Sequence, residues 1–248
     1  MGLLGELVAS ARERAKEIPP REGAPAPGGA TFRDALRGKN RLAVIAEFKR
    51  RSPSLGAIAE PNLEAQVKGY ERAGAAAISV LTEPTRFQGS SQDLVLAARS
   101  VEVPVLMKDF VVEPAQVQEA AFLGARAVLL IVRCLSRTEL EELVSACAHY
   151  GVTPLIECHD ASEIERALAF GDAVIGANNR DLESLEIDRT LAPRLLVQAP
   201  RDRVVVAESG YESAEDVSSL RGLADAVLVG SALMRRSDPE TLIREIRE

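Results

Sequence analysis

From Leu42 onward the chain repeats one pattern eight times: a short apolar run, a polar loop, then a helical stretch. The apolar runs cover 42–48, 77–81, 104–107, 127–131, 154–156, 173–176, 204–207 and 226–229. Helical spacing follows at 63–72, 93–100, 115–122, 138–149, 162–169, 189–197, 214–220 and 239–246. Gly74, Gly124, Gly151, Gly171 and Gly222 stand at five of the joins, where the end of a helix favours a left-handed residue. Runs this short and apolar suit strands covered on both faces, and alternation with helices predicts parallel pairing through crossovers. Eight units in 248 residues match the size of an α/β fold of the (β/α)8 TIM-barrel type. An open doubly wound sheet is the rival. The lack of GxGxxG after the first run counts against it.

The segment before Leu42 cannot bury a core of its own. Leu3, Leu4, Leu7, Val8, Ala11 and Ala15 fall at helical spacing, and Pro19-Pro20 ends that helix. A Pro/Gly-rich loop runs to Gly29, and Thr31 is placed to cap a short helix through Leu36. The expectation is one barrel domain over residues 1–248, with residues 1–40 as an N-terminal helical extension. Whether the first helix covers the mouth or the side is open at this point.

The formal net charge of −7 opposes nucleic acid as a partner, so an anionic ligand must be drawn in by a local basic pocket. Apolar runs stay well short of a membrane span, and Glu6, Arg12, Glu13 and Arg14 spoil a signal peptide; a cytoplasmic protein without a membrane partner is expected. Cys134, Cys147 and Cys158 form no CxxC pair, and His149 and His159 are the only histidines, so neither a disulfide framework nor a metal site is expected. The lysines number five (Lys16, Lys39, Lys49, Lys68 and Lys108), while arginine supplies the other positive charges. Arginine does not release a proton near neutral pH and lysine can, so the two lysines at strand ends stand out.

In such a barrel the ligand site forms at the C-terminal ends of the strands. Those positions hold Glu47 and Lys49, Lys108, Glu157, Asn178 and Arg180, Glu208-Ser209-Gly210, and Gly230-Ser231. Glu47 and Lys49 are two residues apart and share one strand face, as do Asn178 and Arg180. Any one of these charges taken alone is as well explained as a solvated loop residue. Together they place two lysines, an arginine and three glutamates on one rim. The glycines after the last two strands let backbone amides approach an anion, and Ser231 can open a short helix, so phosphate is expected there.

The runs Glu47-Phe48-Lys49-Arg50-Arg51-Ser52-Pro53-Ser54, Val105-Leu106-Met107-Lys108-Asp109-Phe110, Leu155-Ile156-Glu157, Ala177-Asn178-Asn179-Arg180-Asp181-Leu182, Ala207-Glu208-Ser209-Gly210 and Val229-Gly230-Ser231 resemble the successive signatures of indole-3-glycerol-phosphate synthase. The resemblance runs in order along nearly the whole chain. It implies ring closure, decarboxylation and dehydration of 1-(2-carboxyphenylamino)-1-deoxyribulose 5-phosphate, a small phosphorylated substrate, with no cofactor. It implies Lys108 as general acid, with a pKa lowered by Lys49 across the mouth, and Glu157 in proton transfer during dehydration. Lys49 would meet a substrate anion, and Glu47 would orient Lys49 or share the base role. Asn178 would bond substrate hydroxyls, Arg180 the anthranilate carboxylate, and Glu208 would anchor hydroxyls or hold a lysine. Ser209, Gly210, Gly230 and Ser231 would cup the phosphate. Phe87, Phe110, Leu129, Ile131 and Leu182 would wall the ring, with ordinary core packing competing for the aliphatic ones. Ser52 and Ser54 lie in a loop ending at Gly56, for which a mobile lid and a static polar loop are competing readings. Another phosphosugar barrel enzyme and a non-catalytic binding barrel remain as alternatives. Oligomeric state is open, with a monomer favoured.

Overall fold

The computed structural model describes residues 2–23, 25, 31–37, 41–52, 56–57 and 62–248, without the side chains of Ser52 and Ala57. Eight parallel strands close into a barrel: Ala43–Phe48, Ala77–Leu81, Val105–Lys108, Ala127–Ile131, Thr153–Cys158, Val174–Asn178, Val205–Glu208 and Ala226–Val229. They are numbered one to eight here. Strand eight pairs with strand one, which leaves no free edge. Nearly every strand residue is buried, because side chains alternate between the barrel interior and the surrounding helices. The (β/α)8 expectation is met.

Several strands run further than the apolar pattern suggested. Lys108, Glu157, Asn178 and Glu208 lie within the ladders, in register with Leu81, Ile131, Glu208 and Leu228 respectively. These polar side chains are therefore carried by hydrogen-bonded strand ends.

The helices start where short polar side chains can take their first free amides. Asn62 accepts from Ala65 N, Ser90 from Asp93 N, and Asp160 from Glu163 N. Ser136 and Glu139 form a reciprocal capping box. Two expectations fail. The stretch 214–220 forms turns and a 3-10 helix only at Ser218–Leu220. Asp216 accepts from the amides of Glu212 and Ser213, and Ser213 Oγ accepts from Asp216 N, so side chains compete with the helical ladder. Gly171 is not left-handed, unlike Gly74, Gly124, Gly151 and Gly222. The helix there ends at Leu168, and the Arg203 guanidinium takes the carbonyls of Leu168, Phe170 and Ala173 on either side of Gly171.

The N-terminal helix, Leu3–Lys16, lies across the C-terminal end of the barrel. Leu3, Leu4 and Leu7 line a cleft together with Phe87, Phe110, Arg180 and Leu182. Its C-terminal half is held by ion pairs: Arg12 with Glu113 and Glu139 at 2.9 and 2.6 Å, and Arg14 with both oxygens of Asp109 at 3.1 and 2.8 Å. The helix thus roofs the mouth. After strand one, Arg51–Ser52 and Gly56–Ala57 pair as a small antiparallel ribbon. The loop weighed as a lid, with Ser54, falls for the most part on residues 53–55 and 58–61, outside the described residues.

Candidate active site

The centre of the site is Lys108 at the end of strand three. Its Nζ lies 3.1 Å from Glu208 Oε2 and 3.4 Å from Glu157 Oε2, joining strands three, five and seven across the mouth. Both glutamate side chains are 1% exposed and the lysine 16%. Burial alone would push Lys108 toward its neutral form. The charges of Glu208, Glu157 and Glu47 outweigh it and hold the ammonium above its ordinary pKa. The expected lowering by Lys49 therefore does not occur. Lys49 is itself tied to Glu47, at 2.7 Å, so its charge is largely answered before it reaches Lys108.

The two carboxyls beneath Lys108 are driven apart. Burial, reinforced by the charge of Glu157, pushes Glu208 up to about 7 against the pull of Lys108. Burial opposes ionisation of Glu157 as well, but Lys108, His159 and the nearby Asn178 side chain together hold it below the usual carboxylate range. Near neutral pH the site presents an ionised Glu157 and a Glu208 that exchanges its proton readily. Paired groups with diverging pKa values mark acid and base roles.

Glycine makes this crowding possible at two places. A Cβ on Gly176, in strand six, would overlap Glu208 Oε1. A Cβ on Gly230 would overlap Glu47 Oε1 and sit 3.0 Å from Lys49 Nζ. Asn178 accepts from the Arg180 amide at 3.0 Å, and the Arg180 guanidinium bonds the Leu185 carbonyl at 2.9 Å, keeping its remaining N–H groups for the cleft.

Strand seven is followed by Ser209 and Gly210, both left-handed with φ of 65° and 89°. A non-glycine residue there needs outside support. Buried Asn179 gives it, bonding the Ser209 carbonyl and Tyr211 Oη, each at 2.9 Å. Gly230 and Ser231 complete this side, and Ser231 opens the expected short helix, Ser231–Arg235. The walls between the two ends are Phe87, Phe110, Leu129, Ile131 and Leu182, all lining one cleft with Glu47, Lys49, Lys108, Glu157, Asn178, Arg180, Glu208, Ser209, Gly210, Gly230 and Ser231. Phe87 is set by Glu83, whose carboxylate accepts from the amides of Thr85, Arg86 and Phe87. Of Ser52, only the backbone is described.

Three contributors were missed. Asp109, next to Lys108, takes Arg14, Thr82 Oγ1 and the Phe110 amide, and so joins the roofing helix to the site. It stands in the Lys-Asp-Phe run quoted for the resemblance, where it was given no role. Asn179 was passed over beside Asn178. His159 stands two residues after Glu157, the same spacing that singled out Glu47/Lys49 and Asn178/Arg180, and that signal would have found it.

With this geometry in place, comparison with known proteins is informative. Residues 7–246 match the family model described as indole-3-glycerol phosphate synthase. A protein of that name from Leifsonia xyli is 47% identical over 216 residues, covering 86% of this chain and 83% of its own. The one from Methanopyrus kandleri is 41% identical over 250 residues, covering 99% and 98%. Among solved structures, tryptophan synthase subunit alpha from Legionella pneumophila superposes with a TM-score of 0.66 at 14% identity, covering 88% of this chain and 98% of that one. At that identity the likeness speaks for the barrel alone. The long matches at above 40% identity speak for more: the chain belongs to the indole-3-glycerol phosphate synthase family.

Proposed function

We propose that the chain converts 1-(2-carboxyphenylamino)-1-deoxyribulose 5-phosphate to indole-3-glycerol phosphate, CO2 and water, with Lys108 as acid and Glu157 as base. The observation that supports this best is one ammonium shared by two buried carboxyls of opposite protonation tendency, at the end of an apolar cleft. Ring closure needs a proton on the ribulose carbonyl oxygen as the aromatic carbon attacks, and Lys108 enters each cycle carrying one. Loss of CO2 returns the electron pair to the ring. The substrate brings its own leaving carboxylate, so the steps require proton transfer and no change in a cofactor. Dehydration then removes a proton from the new five-membered ring as the hydroxyl leaves, the role of Glu157.

Lys49, held by Glu47, and Arg180 are placed to meet the substrate's carboxylate, while Asn178 and Glu208 serve its hydroxyls. Ser209, Gly210, Gly230 and Ser231 take the phosphate, Phe87, Phe110, Leu129 and Leu182 hold the aromatic end, and Ser52 is also taken as substrate-binding. We take residues 1–248 as one barrel domain with 1–40 as its extension, a monomer working in the cytoplasm without nucleic-acid or membrane partners. No described helix is long and apolar enough to cross a membrane.

The test adds the substrate and follows indole fluorescence in the presence of a chelator. Wild type turns over, and Glu157→Gln loses about 10²–10⁴-fold in kcat. Absence of turnover in wild type refutes the proposed function, and binding without turnover points to a phosphosugar-binding barrel. An unchanged kcat in Glu157→Gln refutes the base assignment.

A further inference from the structure

Glu157 has a second buried neighbour that the reaction scheme leaves unused. Its Oε2 faces Lys108, while its Oε1 points away and lies 3.3 Å from His159 Nε2. Oε1 and Nε2 do not meet hydrogen-bond geometry with each other, and neither has a hydrogen bond to any other described atom. The imidazole is 2% exposed, and its other nitrogen, Nδ1, lies 3.3 Å from Glu163 Oε2. That same oxygen accepts the His159 amide at 2.6 Å, and Glu163 Oε1 accepts from Arg133 Nε at 3.1 Å. Arg133 in turn reaches Asp181 at 3.4 Å.

The elements explain the alignment. Glu157 and His159 are two apart at the end of strand five and share a face. Glu163 lies in the first turn of helix Ala161–Leu168, whose Asp160 cap turns it back toward His159. Arg133 comes from the turn after strand four. The charged and titratable groups facing the imidazole are thus Glu157 on its own strand and Glu163 on the following helix, with Arg133 and Asp181 behind Glu163.

Two bare acceptors at this separation would repel, and neither has any other partner to relieve that repulsion. At 3.3 Å, a proton held on either atom turns that repulsion into attraction. Glu163, as an acceptor at Nδ1, keeps the other ring proton in place and settles which nitrogen faces Glu157.

We propose that His159 is a positioning residue for Glu157, and that Glu157, His159, Glu163 and Arg133 form a buried relay holding the proton on the far side of the base. This rests on the base role proposed for Glu157. When Glu157 takes the ring proton on Oε2, the C–H electron pair becomes the new ring double bond as the hydroxyl accepts a proton from solvent in the mouth and departs as water. The proton shared at Oε1 then passes wholly to Nε2, so the buried carboxyl does not carry two protons. The imidazolium is balanced by Glu163, whose own charge is answered by Arg133. When product leaves, Oε2 returns its proton to water in the mouth and the shared proton moves back toward Oε1.

The test compares wild type with His159→Phe, His159→Gln and Glu163→Gln. Readouts are kcat, KM, the pH profile of kcat and the titration of the Glu157 carboxyl by 13C NMR. Removing the imidazole takes away a group that stabilises ionised Glu157, so the acid limb of kcat in His159→Phe moves to higher pH. Its kcat falls at least about tenfold, with KM within about threefold of wild type. His159→Gln supplies an N–H to Oε1 but no relay, so its acid limb returns toward wild type while kcat stays low. Glu163→Gln lowers kcat with KM kept. A folded His159→Phe with wild-type kcat and an unmoved acid limb overturns the proposal. If that variant does not fold, wild-type kcat in both other variants overturns it. The NMR titration separates the two inferences. With an inactive wild type, an upward shift of Glu157 in the His159 variants still supports the positioning role, and no shift removes it.

Discussion

Replacing Lys108 by methionine, close to it in length and volume, removes the ammonium that Glu157 and Glu208 share while leaving both carboxyls buried at 1% exposure. Removing one partner of a buried ion pair costs about 3–5 kcal/mol, most of it from the charge left behind. In a domain of this size each kcal/mol moves Tm by about 2–4 °C, so the expected fall at about pH 8 is roughly 6–20 °C. The deficit depends on pH with a definite sign. Without Lys108, burial raises both folded-state pKa values above the unfolded value of about 4.3. A group raised in this way contributes stability that is fully present below its unfolded pKa and is lost as pH rises through its folded pKa. The gap between variant and wild type is therefore widest near pH 8 and narrows toward about pH 4–5. Urea denaturation of both proteins at the two ends of that range measures it. Adding Glu208→Gln to the variant recovers part of the loss at high pH, since one buried charge is gone. Equal stability at about pH 8, or a gap that grows on acidification, refutes the electrostatic account of the cluster.

Glu208→Gln alone tests the divided carboxyls. Wild-type Glu208, pushed up to about 7, contributes stability present below its unfolded pKa and lost as pH rises through about 7. The variant is thus more stable than wild type above that pH by about 1–3 kcal/mol, and parallel stability curves in urea would rule this out. Gly230→Ala places a Cβ against Glu47 Oε1 and Lys49 Nζ and forces that pair to shift. It costs about 1–3 kcal/mol in denaturation and raises KM about tenfold or more; an alanine variant with wild-type KM would mean that the pair tolerates displacement.

The regular parts of the fold were open to reading because their signal is local. Apolar runs, glycine joins and capping residues each act within a few positions, and a barrel needs nothing else to set its strand order. The rim residues followed from one rule about strand ends, so Lys108, Glu157, Asn178 and Glu208 were found although their strands run further than the apolar runs. Where local rules competed, reading failed. At 213–220, Ser213 and Asp216 prefer to bond nearby backbone, and the apolar spacing there did not reveal it. At Gly171 a distant arginine, Arg203, takes the carbonyls on either side.

The chain's own order of residues determined the eightfold alternation, the i and i+2 pairs at the strand ends and the glycines after the last two strands, because each is a matter of neighbours along the backbone. Only the tertiary structure decided the electrostatics of the rim. Whether Lys108 is pushed up or down depends on which charges face it across the barrel. Glu157 and Glu208 reach it, while Lys49 is answered by Glu47. The same holds for the roof formed by the N-terminal helix and for His159 behind Glu157. Distances between strands three, five and seven follow from closure of the barrel, and Coulomb and desolvation energies follow distance and burial.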